Sequence, residues 1–129
     1  VESNKDDKDL ANLNVLVVED EPSIAMGIAD QVTEAGATVV GPCSTVRRAI
    51  TALDESKIDV AIVDYVLGDD NSEPLQDALE EKGVPFLVLT GYPRVLVRRS
   101  QHQPVLSKPV APGVLASTLK SLSRADGSG

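Results

Sequence analysis

Four short stretches of the chain carry side chains able to do chemistry: Glu19-Asp20-Glu21, Asp64, Thr90 and Lys108. Each ends an apolar run. Asn14 to Val18 leads into the first acids, Ile58 to Val63 into Asp64, Val84 to Leu89 into Thr90, and Val105 to Ser107 into Lys108. Apolar residues on consecutive rather than alternating positions mark strands buried on both faces, as in a parallel sheet covered by helices. Ligands bind such sheets in the crevice beyond the carboxyl ends of the strands, which is where all four stretches fall. A single strand-end aspartate can equally cap the next turn. Several polar ends converging on one edge are what single out Asp64.

The intervening segments supply the elements that position these residues. Ile24, Ile28, Val32 and Ala35 recur at helical spacing, with Pro22 in the first turn and Gly36 as the stop. Thr38-Val39-Val40 is a short second strand that Gly41-Pro42 breaks. Val46, Ile50 and Leu53 mark a second helical face, capped by Ser44 or Thr45. After the turn cluster Asp69-Asp70-Asn71-Ser72, a third helix carries Leu75, Ala78 and Leu79 to Gly83, and a last one carries Leu115, Leu119 and Leu122 after Pro112. Strand and helix alternate five times, a (βα)5 pattern that right-handed crossovers wind into an α/β fold with a five-stranded parallel sheet. Only Gly91 to Gln103 separate the fourth and fifth strands, so a fourth helix there must be short or irregular. Residues 1–12 are polar and aperiodic and read as a flexible leader, 13–123 as the one domain, and 124–129 as a flexible tail.

Composition narrows the function. The net charge of −8 disfavours nucleic-acid binding by the chain itself, because neutralising phosphates needs a basic surface. Arg94, Arg98 and Arg99 are a local cationic cluster best read as a solvated face. Tyr65, Phe86 and Tyr92 are the whole aromatic set, so the core is aliphatic. Cys43 has no partner for an internal disulfide, and no apolar run approaches the roughly 18 residues of a membrane span, so a reducing, cytoplasmic, membrane-free setting is expected.

In the flavodoxin-like strand order 2-1-3-4-5, the first and third strands are neighbours, and Glu19, Asp20 and Asp64 should meet in the crevice between them. Three crowded carboxylates repel unless a cation neutralises them, and an all-oxygen site with room for water suits Mg2+. With Lys108 and Thr90 beside it, the group is arranged for phosphoryl transfer. A carboxylate oxygen attacks phosphorus while cationic groups take up charge on the equatorial oxygens. A hydroxyl such as that of Thr90, engaged only when a phosphoryl group is present, is what a switch requires.

The chain resembles a response-regulator receiver domain. Val-Val-Glu-Asp-Glu at 17–21, Val-Asp-Tyr-Val-Leu-Gly at 63–68, Leu-Thr-Gly at 89–91 and Ser-Lys-Pro at 107–109 match that family in order and strand position over about residues 13–122. The resemblance implies that a histidine kinase or histidine phosphotransfer protein phosphorylates Asp64. It further implies that Asp20 binds Mg2+ directly, that Glu19 does so partly through water, and that the backbone carbonyl of Val66 completes the ligands. Lys108 would pair with phosphoryl oxygens and Thr90 would report on them. Downstream, a protein effector or a covalently attached output domain would read the switched face.

The family's aromatic three residues before the lysine is here Val105, and Gly68 stands where many relatives have proline. Pro85-Phe86, Thr90-Gly91-Tyr92 and the residues between resemble a Pro-Phe-x-x-x-Thr-Gly-Tyr signature of an alphaproteobacterial receiver subgroup, and Tyr92 is a candidate aromatic switch. Two other functions compete with phosphoacceptance. A receiver-like module could bind partners without phosphorylation. An aspartyl phosphohydrolase of the haloacid dehalogenase type would need a second acid two residues after the nucleophile, where this chain has Val66. A phosphoacceptor signalling domain rather than a turnover enzyme is therefore expected.

Overall fold

The computed structural model describes residues 9–91, 103–111 and 113–128. In chain order the elements are β1 (Asn14–Val18), α1 (Pro22–Glu34), β2 (Thr38–Cys43), α2 (Val46–Glu55), β3 (Val60–Asp64), β4 (Val66–Leu67), β5 (Asp70–Asn71), α3 (Glu73–Glu81), β6 (Phe86–Thr90), β7 (Val105–Ser107) and α4 (Val114–Ser128). Five strands form a parallel sheet in the order β2-β1-β3-β6-β7, and β4 and β5 pair antiparallel beside it. Apart from that hairpin, this is the expected flavodoxin-like 2-1-3-4-5 order. The segment in which a short fourth helix is expected lies outside the described residues.

Side chains along a strand point alternately to opposite faces. Leu16, Ala61, Val63, Phe86 and Val88 join one core cluster with Ala49, Leu53, Leu75 and Leu79 of α2 and α3. Val15, Val17, Ile62, Leu87 and Leu89 join the other with Ile28 and Val32 of α1 and Leu115 and Leu119 of α4. Both faces are covered, which is why β1, β3 and β6 read as unbroken apolar runs. Each fully buried valine, leucine or isoleucine contributes about 1.5–3 kcal/mol. Among the described residues, no helix is long and apolar enough to cross a membrane.

Local chemistry sets the helix ends. Thr45, one of the two expected caps, accepts the Arg48 N–H on its hydroxyl at 3.1 Å, and α1 opens on Pro22 and closes before Gly36 at φ +102°. Ile24 departs from expectation. It is exposed on α1, and Ala25 takes the inward place beside Ile28 and Val32.

The second strand also departs from its expected end, running through Gly41-Pro42 to Cys43 with a bulge against β1. Gly41 makes the bulge possible: its φ is +101°, and a Cβ there would lie 2.7 Å from the Cys43 nitrogen and 3.0 Å from the Val17 carbonyl. The third and fourth sheet strands begin and end later than their apolar runs, so that Asp64 and Thr90 are themselves the last strand residues.

Of the expected leader and tail, residues 9–12 and 124–128 are among those described. Within the expected leader, Leu10 is fully buried and its N–H donates to the Ala35 carbonyl at 2.8 Å, while Asp9 pairs with Lys120. The α4 backbone continues to Ser128, beyond residue 123. Leu10 joins the core cluster that α1 and α4 share, a contact for which the aperiodic composition around it carries no signal.

Gly41→Ala is expected to destabilise the fold by at least about 1 kcal/mol more than Gly83→Ala. Both positions have positive φ, but only Gly41 meets backbone atoms at close range. Urea denaturation midpoints of the two variants check this.

Candidate functional site

The sheet order places the ends of β1 and β3 side by side, with β6 and β7 beyond. Glu19 follows β1, and its N–H donates to the Cys43 carbonyl at 3.0 Å, carrying the ladder one residue past the strand. Asp64 closes β3, its position set by pairing with Leu89 and by the Tyr65 N–H on the Leu89 carbonyl at 2.8 Å. Lys108 follows β7, two strands or about 10 Å from β3 at normal sheet spacing. Its N–H donates to the Thr90 carbonyl at 2.8 Å, so its side chain leans across the end of β6 to reach the acids.

The ammonium of Lys108 lies between two carboxylates, 3.1 Å from Asp64 Oδ2 and 3.3 Å from Glu19 Oε1. Asp64 is 4% exposed and Glu19 2%. The second Glu19 oxygen accepts the Glu21 N–H at 2.9 Å, and the exposed Asp20 accepts the Gly68 N–H on Oδ2 at 2.9 Å. Carboxylate oxygens of Glu19, Asp20 and Asp64 all lie within 4.8 Å of one another. These three acids, Val66, Thr90 and Lys108 line a single open cleft of about 580 Å³. Six of the seven site residues expected from sequence are thus brought together. Tyr92, the seventh, lies outside the described residues, as do Arg94, Arg98, Arg99 and His102.

Burial pushes the Asp64 carboxyl up to about 6, and the negative charge of Glu19 adds to this; hydrogen bonding and charge from Lys108 oppose it. Burial by itself lowers Lys108, but the hydrogen bond and charge of Asp64, and then those of Glu19, leave it above the ordinary lysine value. Lys108 is therefore cationic throughout the working range, while Asp64 resists ionisation in the absence of further positive charge. With all three carboxyls ionised, one ammonium leaves two negative charges in the cleft. An all-oxygen donor set with that charge fits a hard divalent cation.

Sequence reasoning did not find two parts of the site. One is the β4–β5 hairpin, whose Gly68 at φ +62° turns the chain and whose N–H reaches Asp20. The other is the Tyr65 hydroxyl, which donates to Glu73 Oε2 at 2.8 Å. The Gly68-Asp69 dipeptide is a hairpin signal, but strands of two residues are too short to show alternation. Asp69 and Asp70 are exposed, in keeping with a solvated turn.

The response regulator receiver domain family matches residues 15–120. The phyllosphere-induced regulator PhyR of Methylorubrum extorquens is 29% identical over 110 residues, which span 81% of this chain and 41% of that protein. The solution structure of SdrG from Sphingomonas melonis Fr1 is 36% identical, with a TM-score of 0.75 over 85% of this chain and 95% of SdrG. The crystal structure of PhyR from Bartonella quintana, described as an anti-anti-sigma factor, superposes with a TM-score of 0.81 over all of this chain and 56% of that one. At 23% identity that last likeness concerns the fold alone. The chain thus spans about half or less of the PhyR proteins it matches and nearly all of SdrG.

A carboxyl raised from 3.8 to about 6 has a definite consequence for stability. The folded state binds its proton more tightly than the unfolded chain, so the stability it contributes is present below about pH 4. That contribution is lost as pH rises through about 6, to the extent of roughly 3 kcal/mol. Asp64→Asn, a mimic of the protonated form, is expected to be more stable than the parent by 1–3 kcal/mol at neutral pH without divalent cations, at the order of magnitude of this linkage. The difference should vanish near pH 4, as paired denaturant titrations at the two pH values would show.

Proposed function

The chain belongs to the response regulator receiver domain family, and from that premise we propose that Asp64 accepts a phosphoryl group from a histidine kinase or a histidine phosphotransfer protein. A carboxylate oxygen of Asp64 attacks phosphorus as the P–N bond of the donor phosphohistidine breaks, and the bonding pair stays on that ring nitrogen, the imidazole leaving neutral because its other nitrogen already carries a proton. The product is an acyl phosphate. Lys108, already within 3.1 Å of Asp64, is placed to take up charge on the transferred group. Asp20, Asp64, Glu19 and the Val66 carbonyl are the groups that would hold Mg2+. When bound, this ion supplies charge neutralisation for the phosphoryl oxygens.

Two changes follow within the chain. The Lys108 ammonium exchanges carboxylate partners for phosphoryl oxygens, and the Thr90 hydroxyl gains an acceptor. Because the Lys108 N–H is bonded to the Thr90 carbonyl at 2.8 Å, the two move as neighbours at the ends of β6 and β7. Tyr92, two residues on, is the proposed aromatic through which the change reaches a partner, in place of the one missing at Val105. The Pro85-to-Tyr92 stretch is read as the signature of an alphaproteobacterial receiver subgroup. The 29%-identical regulator bears the name PhyR, as does a protein described as an anti-anti-sigma factor, and the proposed downstream partner is accordingly a protein of sigma-factor control, reached by this chain or through an attached output domain. The setting is cytoplasmic, where such kinases act. Slow self-dephosphorylation is the only hydrolysis assigned to it.

The observation that carries this reading is the Lys108 ammonium bridging two buried carboxylates at the edge of a third, all at the carboxyl ends of the strands. Incubation with acetyl phosphate and Mg2+ is expected to add one phosphoryl group, read by intact mass. Asp64→Asn should abolish the gain, omission of Mg2+ should suppress it, and Lys108→Ala should slow it by about 100-fold. An Asp64→Asn protein that still gained a phosphoryl group in this cleft would overturn the assignment. A parent chain that takes up none would favour an interaction module that works without phosphorylation.

A further inference from the structure

Residues 65–72 connect β3 to α3 and form one wall of the acidic cleft, which Val66 and Gly68 line. Within this connection β4 and β5 have two residues each, and a two-stranded ribbon that small does not hold its shape unaided. It is tied at both ends. At the tip, the Gly68 N–H donates to Asp20 Oδ2 at 2.9 Å. At the base, the buried Tyr65 holds the start of α3 twice: its hydroxyl donates to Glu73 Oε2 at 2.8 Å, and its carbonyl accepts the Ser72 N–H at 2.7 Å. Asn71 then accepts the Glu73 N–H on Oδ1 at 2.9 Å, which locks the end of β5 to the same residue that Tyr65 grips.

The two ties are connected through the backbone. Tyr65 follows the phosphoacceptor directly, and its N–H is the last rung between β3 and β6. Leu67 seats the ribbon in the core, and the hold of Tyr65 on the start of α3 is transmitted through that ribbon to Asp20 across the cleft.

We propose that Tyr65 is a positioning residue of the acidic site. Through its hydroxyl on Glu73 it holds the β4–β5 hairpin where the Gly68 N–H keeps the Asp20 carboxylate turned toward Asp64 and Val66 walls the cleft. It thereby sets the affinity for the divalent cation without touching it. This rests on the reading of the three acids as a Mg2+ site.

The test uses Tyr65→Phe, Glu73→Ala, the double variant and Glu73→Gln, whose amide oxygen still accepts the phenol. Mg2+ affinity is followed by titration of backbone amide resonances, and Gly68 amide hydrogen exchange is measured without Mg2+. Tyr65→Phe and Glu73→Ala are each expected to weaken Mg2+ binding and to speed Gly68 exchange by about tenfold, as loss of one charge-assisted hydrogen bond allows. The double variant should lose no more than either single one, and Glu73→Gln should stay within about twofold of the parent. Unchanged Mg2+ affinity and Gly68 exchange in Tyr65→Phe would overturn the proposal, whether or not its urea midpoint drops. So would a double variant whose losses add. If the parent binds no Mg2+, the reading of the acids fails by itself, and Gly68 exchange still judges the Tyr65 tie.

Discussion

One lysine ammonium shared between two buried carboxylates is the constraint around which this structure is arranged. Glu19 and Asp64 are almost wholly withdrawn from water, and a third acid stands within reach of both. Such a group opposes its own burial, as the raised Asp64 carboxyl records. It persists because the rest of the fold over-determines where its members stand. Asp64 ends the central strand of a fully paired sheet, Glu19 is fastened by its own N–H and by that of Glu21, and Lys108 is pinned through its backbone to Thr90. The aliphatic core on both faces of the sheet contributes the stability that this local strain consumes.

The same arrangement makes the site responsive. A residual charge of two negatives invites a divalent cation and, with it, an anionic group that the ammonium can also hold. Any such arrival changes the partners of Lys108, whose main chain directly follows β7 and donates its N–H to the Thr90 carbonyl. A charge event at β3 is thus mechanically adjacent to the edge of the sheet formed by β6 and β7. On the other side, Asp20 is tied to a hairpin held by local hydrogen bonds and by the packing of Tyr65 and Leu67 into the core. The cleft has one rigid flank, built from sheet strands, and one whose position depends on local contacts.

How much of this was legible from residues alone varied with the range of the interaction. The parallel sheet and its two covered faces follow from unbroken apolar runs such as Val60 to Val63, since only burial on both sides removes the need for alternation. The acids, Thr90 and Lys108 were legible as strand ends. Less was visible where a structure depends on one or two residues. The β4–β5 hairpin is below the length at which a pattern exists, the bulge at Gly41 depends on a backbone approach from another strand, and Leu10 is held by the Ala35 carbonyl and by a core cluster that includes Leu115 and Leu119. Ile24 carried the right spacing but lies at the rim, where α1 turns from the core toward the cleft.

By itself, then, the order of residues determined which side chains stand at the carboxyl edge and in what succession, because strand periodicity and helix stops are local properties of the chain. Tertiary structure alone decided which oxygen faces which proton. That Lys108 bridges Glu19 and Asp64, that Asp20 takes the Gly68 N–H, and that Tyr65 reaches Glu73 all depend on distances across strands and turns far apart in sequence. Electrostatic and hydrogen-bond energies change over fractions of an ångström, a scale that only the packed sheet defines.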